Sequence, residues 1–282
     1  MTVTDLATSG GHAHVLTWYG ANARDLPWRR THDPYAILVS EVMLQQTQVA
    51  RVVPRYLEWL ERWPTVETLA AAAPADVILA WSGLGYNRRA VNLHRCAQAV
   101  AERGGFPREP DELEKLPGIG PYTAAAIACF AFGAQIAAPD TNALRVLERA
   151  FPGADVAIPA GRAYEWNQAL FDLGREVCIA RRPRCEICPL AAGCPSRGRT
   201  FAPLRRQSRF EGSFRQRRAG LLREIAAAGR LPEAECDAEA LVSLVRDGLA
   251  EVSDGEARLP GHTSLATSSA SPSSDGSSAS GA

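Results

Sequence analysis

From residue 15 to residue 174, alanine is abundant and valine or threonine runs of strand type are rare. The whole stretch reads as nearly all helix. Asp33 followed by Pro34 is an N-cap with proline at the first helical position. From Tyr35 to Leu44, apolar Ile37, Leu38 and Val42 recur at helical spacing. Gln45, Gln46 and Thr47 interrupt that run. Val49, Val52, Val53, Tyr56, Leu57 and Leu60 continue it, and Pro54 predicts the start of a second helical piece. Three more helices are expected over 65–73, 75–81 and 88–103. Gly83-Leu84-Gly85-Tyr86 and Gly104-Gly105 punctuate them.

The last third of the chain follows other patterns. Residues 195–218 are arginine-rich with few apolar anchors and read as an arm. Leu221, Leu222 and Ile225, then Leu241, Leu244 and Val245, outline a small helical unit. Residues 249–252 and 257–259, across Asp254-Gly255, form a short hairpin. Helix, helix, hairpin is the order of a winged helix. The Ser/Ala/Gly-rich end is expected to be disordered. No internal repeat is found.

With 46% hydrophobic and 22% charged residues in 282, the chain is long and apolar enough for one large or two medium domains. No stretch approaches ~20 uncharged apolar residues, so no membrane span is expected. The first thirty residues hold no apolar run, so no signal peptide is expected. The zero net charge conceals a bipolar chain: residues 175–218 carry +9, 219–282 carry −6 and 1–174 carry −3. A basic block beside an acidic body suits a polyanion, or is merely a solvated surface.

Two motifs carry chemistry. Cys178, Cys185, Cys188 and Cys194 are spaced C-x6-C-x2-C-x5-C. Four thiolates this close can ligate one centre, and spacing alone leaves zinc and iron–sulfur both open. Cys96 and Cys129 lie in apolar helical contexts and read as core thiols; Cys236 is isolated. Between the first two ligands stand Arg181, Arg182 and Arg184, guanidiniums suited to phosphate. The second motif is Leu116-Pro117-Gly118-Ile119-Gly120-Pro121-Tyr122-Thr123, between two helical stretches. Gly118 and Gly120 permit a tight turn with backbone N–H groups exposed at a helix start, which is either a grip for a DNA phosphate or an ordinary interhelical turn.

The hairpin, the downstream Asp140 and the cysteine spacing together resemble the endonuclease III superfamily of DNA glycosylases. Leu26-Pro27-Trp28-Arg29, the run Val39 to Thr47, Gly83 to Tyr86 and Pro139-Asp140-Thr141-Asn142 resemble the adenine DNA glycosylases (the MutY family) within it. The resemblance covers roughly residues 15–200. It implies an all-α, two-lobed helix-hairpin-helix glycosylase fold. Residues 1–25 and 137–200 would form an iron–sulfur lobe, and 26–136 a helical barrel lobe carrying the hairpin. A basic arm (201–218), a small winged-helix-like unit (219–260) and a disordered tail (261–282) would follow. One [4Fe-4S] cluster would sit on Cys178, Cys185, Cys188 and Cys194.

The implied substrate is double-stranded DNA with adenine opposite 8-oxoguanine or guanine. The implied setting is a cytoplasmic, nucleoid-associated monomer. Breaking an N-glycosidic bond needs a protonated leaving base and a stabilised sugar cation, work for two carboxylates in different environments. Glu41, flanked by Val39 and Val42, would gain a raised pKa from partial burial; facing solvent, it would not. By resemblance Glu41 is the acid that protonates adenine. Asp140 reads as a helix cap, and by resemblance also stabilises the sugar cation. Tyr122 matches a position near that sugar, and Asn142 one near the catalytic Asp.

Gln46 matches the residue wedged into the duplex, and Tyr86 one that intercalates beside the oxidised guanine. Arg24, Leu26, Trp28 and Arg29 match positions lining the adenine pocket, although Trp28 can equally pack in a core. The lyase branch carries a lysine where Tyr122 stands, and Lys115 is the only lysine of this chain; strand cleavage is therefore not expected. In one respect the chain departs from the family. Many members carry a C-terminal Nudix-like β domain, whose pattern is absent here. The competing readings are a thymine mismatch glycosylase, a non-catalytic iron–sulfur DNA-binding protein, and a regulator built on the winged helix.

Overall fold

Helix α1 (Ser9–Asn22) and a 3-10 turn (Pro27–Arg29) open the computed structural model, which describes residues 9–202 and 208–261. Residues 262–282 of the expected tail, the first eight residues and residues 203–207 of the expected arm lie outside these. Helix α2 (Pro34–Leu44) comes next. The Asp33 carboxylate caps it, accepting from Tyr35 N at 3.1 Å and Ala36 N at 3.2 Å. Nine of its eleven residues, Tyr35 to Met43, are buried, so α2 is a central helix with no solvent face.

Helix α3 (Val49–Arg62) is continuous through Pro54, which corrects the expected break. Pro54 lies one turn in, where it removes a single bond to the Ala50 carbonyl, and Ala50 is exposed to water. Helices α4 (Val66–Ala70), α5 (Pro74–Ala80), α6 (Arg88–Arg103), the short α7 (Pro110–Leu113) and α8 (Pro121–Phe132) follow. Side chains from α2 through α8 bury one another in a first core that includes Leu38, Trp59, Trp81, Leu93 and Ile127. Cys96 and Cys129 are buried in it as expected.

Between α7 and α8 lies the hairpin. Gly118 has φ +77°, and a Cβ there would stand 2.6 Å from Asn92 Cβ, so only glycine fits. Gly120 is the N-cap of α8.

Helices α9 (Thr141–Ala150) and α10 (Ala163–Asp172) join α1 in a second core around Val15, Val146, Trp166, Leu170 and Leu190. A π-helical turn (Leu173–Val177) extends α10 directly into Cys178. Gly174 allows it: an added Cβ would meet the Asn142 carbonyl oxygen at 2.4 Å. Phe171 packs against both cores.

A third core belongs to α11 (Phe214–Ala228), α12 (Ala238–Arg246) and strands β1 (Arg230–Pro232), β2 (Glu251–Ser253) and β3 (Glu256–Arg258). The sheet order is β1-β3-β2, all antiparallel. Helix, strand, short 3-10 turn, helix and two-stranded wing follow one another as in a winged helix. The unit rests on Ala75 and Ile78 of α5.

Its first helix begins at Phe214, inside the expected basic arm. Arg217 there pairs with Asp237 at 2.7 Å and Glu239 at 2.6 Å, and Arg218 with Asp247 at 2.5 Å. Part of the basic block is thus neutralised within the fold. Strand β1 was not legible in the sequence: three residues carrying a proline have no alternation to read.

Candidate active site

Where the first two cores meet, a cleft of about 490 Å³ opens. Glu41, Tyr122, Asp140 and Asn142 all line it, as do Gln46, Arg24, Leu26, Trp28 and Arg29. Glu41 and Tyr122, 81 positions apart in the chain, converge because α2 and α8 pack side by side, while α9 begins at the cleft wall.

Glu41 is only 7% exposed. Burial pushes its carboxyl up to about 7, and the charge of Asp140 adds to this. A hydrogen bond from the Tyr122 hydroxyl and the charge of Arg29 pull the other way without cancelling it. Burial and Glu41 together hold the Tyr122 hydroxyl protonated, well above its ordinary range.

Asp140 is the N-cap of α9. Its Oδ1 accepts from Asn142 N at 2.8 Å and Ala143 N at 2.7 Å, and its Oδ2 from Asn142 Nδ2 at 2.7 Å. Asn142 is fixed in turn, since its Oδ1 accepts from Arg145 Nη2 at 2.9 Å. Arg145 also reaches the carbonyls of Gly174, at 2.5 Å, and Cys178, at 2.8 Å. A continuous hydrogen-bonded path therefore runs from Asp140 to the backbone of the first cluster cysteine.

Trp28 is 7% exposed and meets Tyr56 edge-on at 5.4 Å. It packs in the core and also lines the cleft. Gln46 and Tyr86 sit on loop tips with φ of 57° and 49°. Left-handed backbone at non-glycine residues is strained and is found at functional positions. Tyr86, Gly118, Gly120 and the exposed Arg181, Arg182 and Arg184 lie outside the cleft lining.

Cys178, Cys185, Cys188 and Cys194 line one small pocket together with Arg149. Two donors aim at their sulfurs: Arg149 Nη1 at Cys178, 3.7 Å, and Gly198 N at Cys185, 3.4 Å. Four thiols with N–H donors around them are the donor set of an iron–sulfur centre.

Sequence reasoning missed Asp172 and Gln168. They share one face of α10, and both are buried at the cleft. Asp172 is fully buried and binds Arg29 through two hydrogen bonds of 2.7 and 2.9 Å, and Arg24 N at 3.2 Å. Their spacing of four, which puts both polar residues on one helix face, was the available signal. Replacing Asp172 by Ala would strand a buried guanidinium. The expected cost is about 3–5 kcal/mol, read as a lower unfolding midpoint; a cost below about 1 kcal/mol would show that water replaces the carboxylate.

Cleft, hairpin and cysteine loop together define a class: a helix-hairpin-helix protein of base excision DNA repair. The chain matches the HhH-GPD superfamily of base excision DNA repair proteins over residues 39–159 and the iron–sulfur binding domain of endonuclease III over residues 178–194. It is similar in structure to a thermostable thymine-DNA glycosylase (TM-score 0.61, 30% identity, covering 65% of this chain and 93% of the other). An endonuclease III–DNA covalent intermediate shares the fold (TM-score 0.59, 24% identity, 69% and 96% covered).

The particular family follows from sequence. The chain is 43% identical to an adenine DNA glycosylase of Mycolicibacterium smegmatis, covering 88% of this chain and 95% of that protein. It is 41% identical to the human adenine DNA glycosylase, over 66% of this chain and 39% of that protein. The chain belongs to the adenine DNA glycosylases, and its cysteine loop is the iron–sulfur binding domain of that superfamily.

Proposed function

We propose that this enzyme removes adenine from double-stranded DNA where it stands opposite 8-oxoguanine or guanine, and leaves the strand uncut. A single observation carries the reading: in one cleft a buried carboxyl held near pKa 7, Glu41, faces a carboxylate anchored by three hydrogen bonds, Asp140. The target nucleotide first leaves the stack, because the scissile bond is inaccessible within it. Gln46 and Tyr86 fill the space. Protonated Glu41 then donates its proton to the imidazole ring of adenine. The C1′–N9 bond breaks with its electron pair going to the base, and Asp140 stabilises the positive sugar. Water adds to C1′ and returns its proton to Glu41. Tyr122 holds the Glu41 carboxyl in place throughout.

No lysine lines the cleft. Lys115 is 68% exposed and paired with Glu112 at 2.5 Å, so no Schiff base forms on the sugar. The cysteine pocket is read as the seat of a [4Fe-4S] cluster: its four cysteines surround one space, and N–H donors of Arg149 and Gly198 aim at two of the sulfurs. Cys178, Cys185, Cys188 and Cys194 would hold the cluster, which would fix the loop of Arg181, Arg182 and Arg184, guanidiniums suited to DNA phosphates. The enzyme is read as a monomer on DNA, acting in the cytoplasm at the nucleoid; no described helix is long and apolar enough to cross a membrane.

The test is single-turnover base release from duplexes with adenine opposite 8-oxoguanine, guanine or cytosine, and thymine opposite guanine. Adenine release from the first two, with strand breaks only after alkali and no borohydride-trapped adduct, is expected. Release of thymine alone would move the enzyme to the thymine branch, and breaks without alkali would overturn the monofunctional mechanism.

A further inference from the structure

Arg89, at the start of α6, is 8% exposed and is not part of the cleft. Its neighbours are oxygens of two separate loops. Nη1 donates to the carbonyls of Val42 at 2.7 Å, Met43 at 3.0 Å and Gln45 at 2.7 Å. Nη2 reaches Thr47 Oγ1 at 3.0 Å and the carbonyls of Leu84 at 3.3 Å and Gly85 at 3.0 Å. The first group ends α2, the helix of Glu41, and leads into the Gln46 turn. In the second, Thr47 belongs to that same turn, whereas Leu84 and Gly85 belong to the loop whose tip is Tyr86, so Nη2 itself bridges the two loops.

The same two loops carry left-handed backbone at Gln46, Gly83, Gly85 and Tyr86. Such conformations persist only where surrounding contacts over-determine them. Thr47 Oγ1 also donates to the Leu84 carbonyl at 3.4 Å, and Trp81 Nε1 to that of Gly85 at 3.1 Å. The Arg89 guanidinium lies 5.1 Å from the Trp81 ring and 5.7 Å from the Tyr86 ring.

We infer that Arg89 is a positioning residue that clamps the Gln46 and Tyr86 loops into one rigid unit, so that both tips enter the duplex together. The inference rests on the reading of Gln46 and Tyr86 as groups that enter DNA. Only a planar fork spans the two sets of acceptors; an ammonium is a point donor and satisfies one set.

The experiment uses the full chain with its cluster. Arg89→Lys is compared with wild type by 2-aminopurine fluorescence at the target position, which reports extrusion. Single-turnover adenine release is followed on a duplex opposite 8-oxoguanine and on one where the target adenine faces an abasic gap and is already unpaired. Arg89→Lys is expected to lower the fluorescence rise and to slow release from the paired duplex about tenfold or more. Release from the unpaired target should stay within about twofold of wild type. Added to Gln46→Ala plus Tyr86→Ala, Arg89→Lys should cost almost nothing more, because the tips it positions are gone.

Equal slowing on both duplexes, or effects that add in the triple variant, would show Arg89 acting on Glu41 or on general stability and would overturn the inference. If Gln46→Ala and Tyr86→Ala themselves leave extrusion unchanged, the underlying reading of the wedge fails instead. Should Arg89→Lys not fold, Thr47→Val removes one acceptor of the guanidinium and the Thr47–Leu84 bond that joins the same two loops, and leaves the cation. The same selective slowing of the paired duplex supports the clamp, and unchanged extrusion refutes it.

Discussion

A Glu41→Gln enzyme will bind its duplex and release adenine about 10²- to 10⁴-fold more slowly, the usual worth of a positioned general acid. Glutamine keeps the volume and one hydrogen-bond acceptor for Tyr122, but has no proton to give. In the wild type the active form is the protonated one. With Glu41 at about 7, the release rate should be flat below that pH and fall about tenfold per unit above it. A profile that rises through neutrality would mean that Glu41 acts as base and not as acid in the rate-limiting step.

The same burial sets a stability cost with a definite sign. The folded carboxyl titrates at about 7 and its ordinary value is 4.5, so the folded state binds the proton more tightly. Stability is therefore lost as pH rises from about 4.5 to about 7. Glu41→Gln removes that loss. The variant should be more stable than wild type by on the order of 2–3 kcal/mol at pH 8, a difference that fades toward pH 5. Thermal unfolding at the two pH values, followed beside the kinetics, would show an enzyme that gains stability as it loses its acid.

Much of the site was legible because its chemistry is local in sequence. Valine on both sides of Glu41 announced its burial, the Asp140 cap is written in the residues that follow it, and cysteine spacing is a local count. Other parts depend on distance. Asp172 gains its meaning from Arg29, 143 positions away. In the sequence Arg89 is one arginine beside another at a helix start, and nothing nearby reveals that two loops will turn their carbonyls toward it. Gly174 reads as a helix flaw until Asn142 packs against it. Pro54 failed as a breaker for a similar reason: tertiary packing of Val52, Tyr56 and Trp59 outweighs one lost bond.

The winged-helix order was legible, but its use was not. The helix that would enter a DNA groove in a regulator presents Glu239, Val242 and Val245 to solvent, with Val242 69% exposed. Glu239 and the two valines do not suit a phosphate backbone, the nearby Arg217 is already paired, and Arg246 at the end of the helix lies 3.9 Å from Asp247. The unit instead reaches the barrel beside Tyr86, with Asp247 bridging Arg218 and Arg88. It thus flanks the loop that carries Tyr86.

Asp140→Asn separates two duties of one carboxylate. As a cap, asparagine nearly equals aspartate. Its amide oxygen keeps both backbone donors of Asn142 and Ala143, while its amide nitrogen meets Asn142 Nδ2 donor against donor. Asn142 cannot turn over to relieve this, because Arg145 holds its oxygen. The expected loss of stability is about 1 kcal/mol at most. As a catalytic group the residue loses its whole negative charge beside the developing sugar cation. Base release should fall about 10²- to 10³-fold or more, as when preorganised charge stabilisation is removed elsewhere. Asp140→Ala completes the comparison, losing all three hydrogen bonds and about 1–2 kcal/mol of stability. If catalysis needs the charge, the two variants are equally slow despite unequal stability. If Asp140 matters only as the cap of α9, release tracks unfolding midpoint instead, and Asp140→Asn stays close to wild type.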